Sequence, residues 1–139
     1  MKYDFETTRE YLDIADTILD IDFEYDVHEV ATIAVFDDEM EFCGLVLWTG
    51  YTGTDIEIHV ASVNPKWLTR AGLKIMCEYP FKQLGVRRVS AQIKESNKAS
   101  ISLTERMGFV REGAKRDFHA DGDSLLQYGM TKQECKWIK

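Results

Sequence analysis

Hydrophobic and polar positions alternate with period two along Asp55–Ser62, where Ile56, Ile58 and Val60 stand on one side and Glu57, His59 and Ala61 on the other. This is the pattern of a β-strand with one buried face and a second face given to another purpose. The stretch 55–109 around it reads as strand, basic turn, helix, strand, helix. Beyond the turn, Leu73, Met76, Cys77, Phe81 and Leu84 recur at three and four, so a helix starting near Leu68 lays one stripe against a sheet. Pro80 predicts a kink or early end of that helix and Gly85 its stop. Val89, Ala91 and Ile93 alternate in the next strand, with Ser90 and Gln92 on its other face. Asn97 then caps a short helix whose Ala99, Leu103 and Met107 face inward, with Gly108 at its end.

Upstream, Thr7 or Thr8 caps a helix running to about Leu19, with Tyr11, Leu12, Ala15, Ile18 and Leu19 at helical spacing and acids opposite. Residues 20–29 interleave acids with Phe23, Tyr25 and His28 without a clean period and read as a short helix or loop. Two apolar, β-branched runs, 30–36 (VATIAVF) and 42–48 (FCGLVLW), flank the polar turn at Asp37, Asp38 and Glu39 and predict a hairpin of central strands. Gly50, Thr52, Gly53 and Thr54 make the next turn, so three antiparallel strands precede the first long helix, which is not a Rossmann order. Near the C-terminus, Asp121, Gly122 and Asp123 form a turn between two further strands.

Composition narrows the class. The 139 residues, 45% hydrophobic, suit one domain with a single core, burying roughly 70% of the unfolded surface. No apolar run approaches the ~18 residues of a membrane span, and MKYDFETTRE is too polar for a signal peptide, so a cytoplasmic protein without membrane attachment is expected. Cys43, Cys77 and Cys135 are odd in number and lack ligand spacing, which predicts reduced thiols, with neither disulfide nor zinc. The net charge of -7 conceals an asymmetry: residues 1–60 hold sixteen carboxylates against Lys2 and Arg9, residues 61–139 eight against fifteen bases. An anionic partner for the second part and a cationic one for the first is one reading; solvated surface with internal pairing is the other.

The order of elements, and above all the string N-x-A-S-x-x-L-x-E-R-M-G-F-x-x-E-G-x-x-R from Asn97 to Arg116, resembles the GNAT superfamily of acetyl-CoA-dependent N-acetyltransferases. Within it the chain is similar to the RimJ and RimL type and to short phage-encoded members, which share D-x-x-x-x-Y-G-M, here Asp123 to Met130. The resemblance implies an α/β (α+β) fold with a mixed, mostly antiparallel central sheet and helices on both faces. It also implies acetyl-CoA as cosubstrate, no metal, an amine acceptor and no direct nucleic-acid binding, and it leaves room for a homodimer. Pyrophosphate suits the strand–turn–helix junction, where backbone N–H groups and the positive end of a helix dipole face outward. Lys66, Thr69, Arg70 and Gly72 occupy that junction, with Lys74 where the family has a small residue. By the same matching, Ala61 and Val63 lie beside the thioester end of the pantetheine arm, and Asn97 and Ser100 contact or position it; helix capping is the alternative role for both Asn97 and Ser100.

Attack of an amine on a thioester needs a neutral nitrogen, so a carboxylate or imidazole must take its proton, directly or through water. Glu57 matches the glutamate base of some family members and His59 is the second candidate; a solvent-facing glutamate and a structural histidine are the alternatives. The family's tyrosine general acid is replaced by Thr104, which leaves Tyr128 or water to serve the leaving thiolate. The leading expectation is an N-acetyltransferase acting on a protein N-terminus, a lysine or a small amine. A catalytically silent module of the same fold, and an acidic decoy that binds a host factor, are the competing readings.

Overall fold

The computed structural model describes residues 1–19 and 29–139; the aromatic and acidic stretch carrying Phe23, Tyr25 and His28 lies outside the described residues. Its elements are β1 (Lys2–Asp4), α1 (Arg9–Leu19), β2 (Ala31–Phe36), β3 (Phe42–Thr49), β4 (Asp55–Ser62), α2 (Arg70–Glu78), β5 (Arg88–Lys94), α3 (Lys98–Met107), β6 (Val110–Lys115) and β7 (Leu125–Thr131). The strands form one sheet in the order β1-β2-β3-β4-β5-β7-β6. It is mixed: β4 and β5 run parallel, whereas β1/β2, β2/β3, β5/β7 and β6/β7 are antiparallel. The chain divides into two compact units, Met1–Tyr51 with Ile58–Met76, and Thr52–Glu57 with Cys77–Lys139.

In the first unit the two candidate helix caps have separate tasks. Thr8 Oγ1 accepts the Tyr11 N–H at 3.2 Å and starts α1, while Thr7 Oγ1 accepts the Thr32 N–H at 3.1 Å and ties the chain to β2. Leu12 and Ala15 of α1 are fully buried among Ala34, Leu45, Leu47 and Ala61; Ile18 of the expected stripe is exposed. β1 was not foreshadowed, since Lys2–Asp4 is too short and polar to show a period. Its Tyr3 lies opposite Val35, which lies opposite Gly44, giving a row on the sheet face away from Ala34 and Leu45. The β2–β3 turn is organised by the buried Asp37 carboxylate, which accepts the N–H groups of Glu39 and Glu41, each at 2.9 Å.

The second unit separates its chemistry by face. Ile56 pairs with Val89, Val89 with Met130, Ala91 with Tyr128 and Ile93 with Leu126, and all of these are buried. The Tyr128 hydroxyl donates to Glu105 of α3 at 2.8 Å, which places α3 on that side. The inward residues of α3 are Thr104 and Met107; Ala99 is exposed, because a one-carbon side chain carries little of the burial that orients a helix. α2 ends at Glu78, and Pro80 sits in the first turn of the π-helical segment Tyr79–Leu84, which Gly85 closes with φ 73°.

The opposite face carries Asp55, Glu57, Ser90, Gln92 and Gln127. Ser90 Oγ donates to the Asp55 carboxylate at 2.8 and 3.0 Å, and Arg88 reaches Glu112 through two hydrogen bonds of 2.6 and 3.1 Å. This fork lies across Gly129: a Cβ there would overlap Arg88 Nη2 and stand 2.6 Å from Glu112 Oε1. Both atoms are the ends of flexible, partly exposed side chains that can swing aside, so Gly129→Ala is expected to disrupt the Arg88–Glu112 pair and destabilise the fold by no more than about 1 kcal/mol. Chemical denaturation measures it, and in a Glu112→Ala background the loss should shrink.

Candidate active site

The alternation of β4 survives in three dimensions, with Ile56 and Ile58 buried and Glu57 and His59 on the other side. Glu57 stands opposite Ser90 in the parallel register and its carboxylate is hydrogen-bonded by Gln92, the next residue of β5 on that face. Burial pushes the Glu57 carboxyl above its ordinary value; the Gln92 bond opposes this and the charge of Asp55 adds to it. It is therefore not a glutamate simply immersed in solvent. His59 Nε2 lies 3.0 Å from Thr49 Oγ1, and burial brings its imidazole down to about 4, so it is neutral at pH 7.

Along the same strand, Ala61 is 1% exposed and its methyl group belongs to the α1 core, so only its backbone can serve a ligand. Val63 is exposed, but its N–H already donates to the Cys43 carbonyl at 2.9 Å, as does that of Asn64. Asn64 then caps the short 3₁₀ turn Pro65–Trp67.

The basic turn is built differently from a row of free cations. Lys66 Nζ lies 3.0 Å from Asp37 Oδ2 and holds that carboxyl below its ordinary value, after the larger effect of the backbone N–H of Glu41. Thr69 caps α2: its hydroxyl accepts the Gly72 N–H at 3.1 Å and its carbonyl the Leu73 N–H at 2.8 Å. Arg70 is exposed on the first turn, and Gly72 is buried. A Cβ on Gly72 would overlap the Trp67 carbonyl oxygen and meet the Tyr3 hydroxyl at 3.4 Å. Trp67 and Tyr3 were not signalled as site residues; only the pairing of β1 and the buried indole reveal them. Gln92 was placed on the correct face by alternation, but its link to Glu57 needs the parallel register.

On α3, Asn97 Oδ1 accepts the Ser100 N–H at 3.1 Å, so both residues form the helix cap. Thr104 is buried and its carbonyl accepts the Phe109 N–H at 3.2 Å. The hydroxyl of Tyr128 is committed to Glu105 on the α3 side of the sheet, not the side of Ser90 and Gln92, and burial raises its pKa.

No curated protein sequence matches the chain significantly. Among solved structures, a chimera of the spermidine N-acetyltransferase SpeG from Vibrio cholerae with hSSAT superposes with a TM-score of 0.77 at 15% identity, covering 100% of both chains. A point mutant of the Vibrio cholerae enzyme gives 0.78 at 14% identity, covering 100% of this chain and 98% of that one. The same enzyme in complex with manganese ions gives 0.73 at 16%, with coverages of 94% and 91%. Such identities establish a shared fold, α/β with a mixed sheet, as the resemblance implied. A family model described as the acetyltransferase (GNAT) domain matches residues 2–110, most of the chain, and the chain therefore belongs to the GNAT acetyltransferase family.

Proposed function

We propose that this chain transfers an acetyl group from acetyl-CoA to a primary amine by direct attack in a ternary complex, with Glu57 as the base. GNAT acetyltransferases use acetyl-CoA as cosubstrate, and it supplies the acyl group as a thioester with a good leaving group. The observation that carries the reading is the partly desolvated Glu57 carboxylate beside Gln92 on the polar face of the sheet. A carboxyl raised above its usual range holds a proton more firmly than a free carboxylate, which makes it the stronger base. Glu57 takes one proton of the attacking ammonium; as the N–C bond forms, the C–S bond breaks and its electron pair leaves on sulfur, while the second proton that nitrogen must lose passes to water, which returns one to the thiolate.

His59 is the weaker base. The burial that keeps its imidazole neutral also penalises the imidazolium it would become, so its bond to Thr49 orients the strand. A thiol has an ordinary pKa of about 8.5, so the sulfur leaves as thiolate and is protonated by water; Thr104 and Tyr128 are not required. The segment Pro65 to Gly72 contains no carboxylate, and it offers Arg70, the nearby Tyr3 hydroxyl and the capped end of a nine-residue helix. These groups fit an anionic pyrophosphate. Lys66, Thr69, Arg70 and Gly72 supply or shape that end, Ala61 and Val63 offer backbone to the pantetheine arm, and Asn97 and Ser100 serve it through the α3 cap.

The acceptor is a cationic amine: a protein N-terminus, a lysine or a polyamine. The structural neighbours are named as spermidine N-acetyltransferases, and the first sixty residues carry the acid excess that attracts such molecules. With a polyamine acceptor, KM should increase as ionic strength rises in a thiol-release assay.

Glu57→Gln should lower kcat/KM by about 10²–10⁴-fold, with wild-type activity rising with pH through a pKa above the ordinary 4.5. Wild-type rates in this variant would remove the assignment. The depressed His59 pKa makes a separate prediction. Below the unfolded value of 6.5 the unfolded chain takes a proton that the folded one refuses until about pH 4, so stability falls with pH across that window. His59→Gln should flatten the fall of Tm between pH 6.5 and 4.

A further inference from the structure

One tryptophan is gripped by two glycines. Trp67 is 1% exposed, and its indole packs against Gly44 of β3, where a Cβ would stand 2.6 Å from Nε1 and 2.8 Å from Cε2. The indole N–H donates to Ser62 Oγ at 3.1 Å, at the end of β4. The carbonyl of the same residue lies against the Cα of Gly72, too close for any side chain there. Gly44 is flat extended strand with no positive φ, so its glycine is explained by the indole and not by the backbone. Gly72 likewise sits inside the first turn of α2, where glycine costs helix stability relative to alanine, and the Trp67 carbonyl is the reason it is tolerated.

We propose that Trp67 is the positioning residue of the cofactor turn: its indole, seated on Gly44 and tied to Ser62, and its carbonyl, seated on Gly72, fix the N-terminus of α2 that receives the acetyl-CoA pyrophosphate. This rests on the acetyltransferase reading above. Helix-end binding depends on direction, because N–H groups and the dipole act only on an anion placed along the axis. The turn from Pro65 to Thr69 has few internal bonds to set that direction: Asn64 Oδ1 accepts the Lys66 N–H, and Pro65 O accepts the Leu68 N–H. The outward anchor is the bond from Lys66 to Asp37. The inward anchor is Trp67, and no other side chain of the turn is buried. Displacing the indole therefore rotates the turn and the first turn of α2 together.

The test is calorimetric titration of CoA into the wild type and three variants, with thermal melts of each and acetyl transfer at saturating acetyl-CoA. Gly44→Ala forces the indole off its seat and should raise Kd for CoA about tenfold, with kcat within about twofold of wild type. Ser62→Ala removes only the indole's hydrogen bond and should raise Kd about three- to fivefold, which keeps the proposal testable if Gly44→Ala fails to fold. Gly44→Ala combined with Trp67→Phe makes room for the added methyl group but also loses the indole N–H, so Kd should fall back from the Gly44→Ala value to about that of Ser62→Ala, three- to fivefold above wild type. Folded Gly44→Ala and Ser62→Ala proteins with unchanged CoA affinity would overturn the inference and leave the acetyltransferase reading intact. A wild type that binds no CoA at millimolar concentration would overturn that reading and the inference with it.

Discussion

A β-strand cannot bury one side chain without turning its neighbours the other way, and β4 lives under that constraint. Ile56 and Ile58 go into the core, so Glu57 and His59 must share the opposite side. Partial removal from water then acts on the two in opposite senses, because it penalises whichever form is charged: the carboxyl is pushed up and the imidazole down. The two are thus moved towards each other: in water an imidazole is the natural acceptor of a proton at pH 7, and on this strand burial works against that role while it strengthens the carboxylate as a base.

The neighbours of Glu57 sustain that result. Asp55, two residues earlier on the same face, would repel its charge strongly if left alone, but Ser90 donates to Asp55 and Arg88 lies 3.5 Å from it while forking onto Glu112. The fork passes over Gly129 of β7, in space that a Cβ would occupy. The charge of Asp55 raises the Glu57 carboxyl less than burial does.

What the sequence made legible was local. Alternation located β4 and β5, β-branched runs located β2 and β3, and Thr8 and Asn97 were recognisable as caps because capping joins a side chain to an N–H three residues away. The roles invisible in sequence depend on partners far along the chain. Nothing local says that Asp37 will hold Lys66, that Tyr3 will approach Gly72, or that Gly44 is the seat of Trp67. β1 escaped because three residues cannot show a period, and its order comes from pairing with β2. The inward stripe of α3 was misread in part for a related reason: Met107 is buried and Leu103 half-buried as expected, but Ala99 counted as apolar although it has little area to bury, while Thr104, counted as polar, is buried.

The same distinction applies to the basic turn before α2, where the resemblance to the family was least complete. Lys74 occupies a position at which the family has a small residue, and judged from the linear pattern this weakens the turn. In three dimensions Lys74 is exposed, and the position where the backbone admits no side chain is Gly72, against the Trp67 carbonyl. Small residues in such turns answer a demand for close approach, and that demand belongs to one contact rather than to the motif as a whole. Here that contact joins Gly72 to the carbonyl of the buried Trp67, and Lys74 lies outside it.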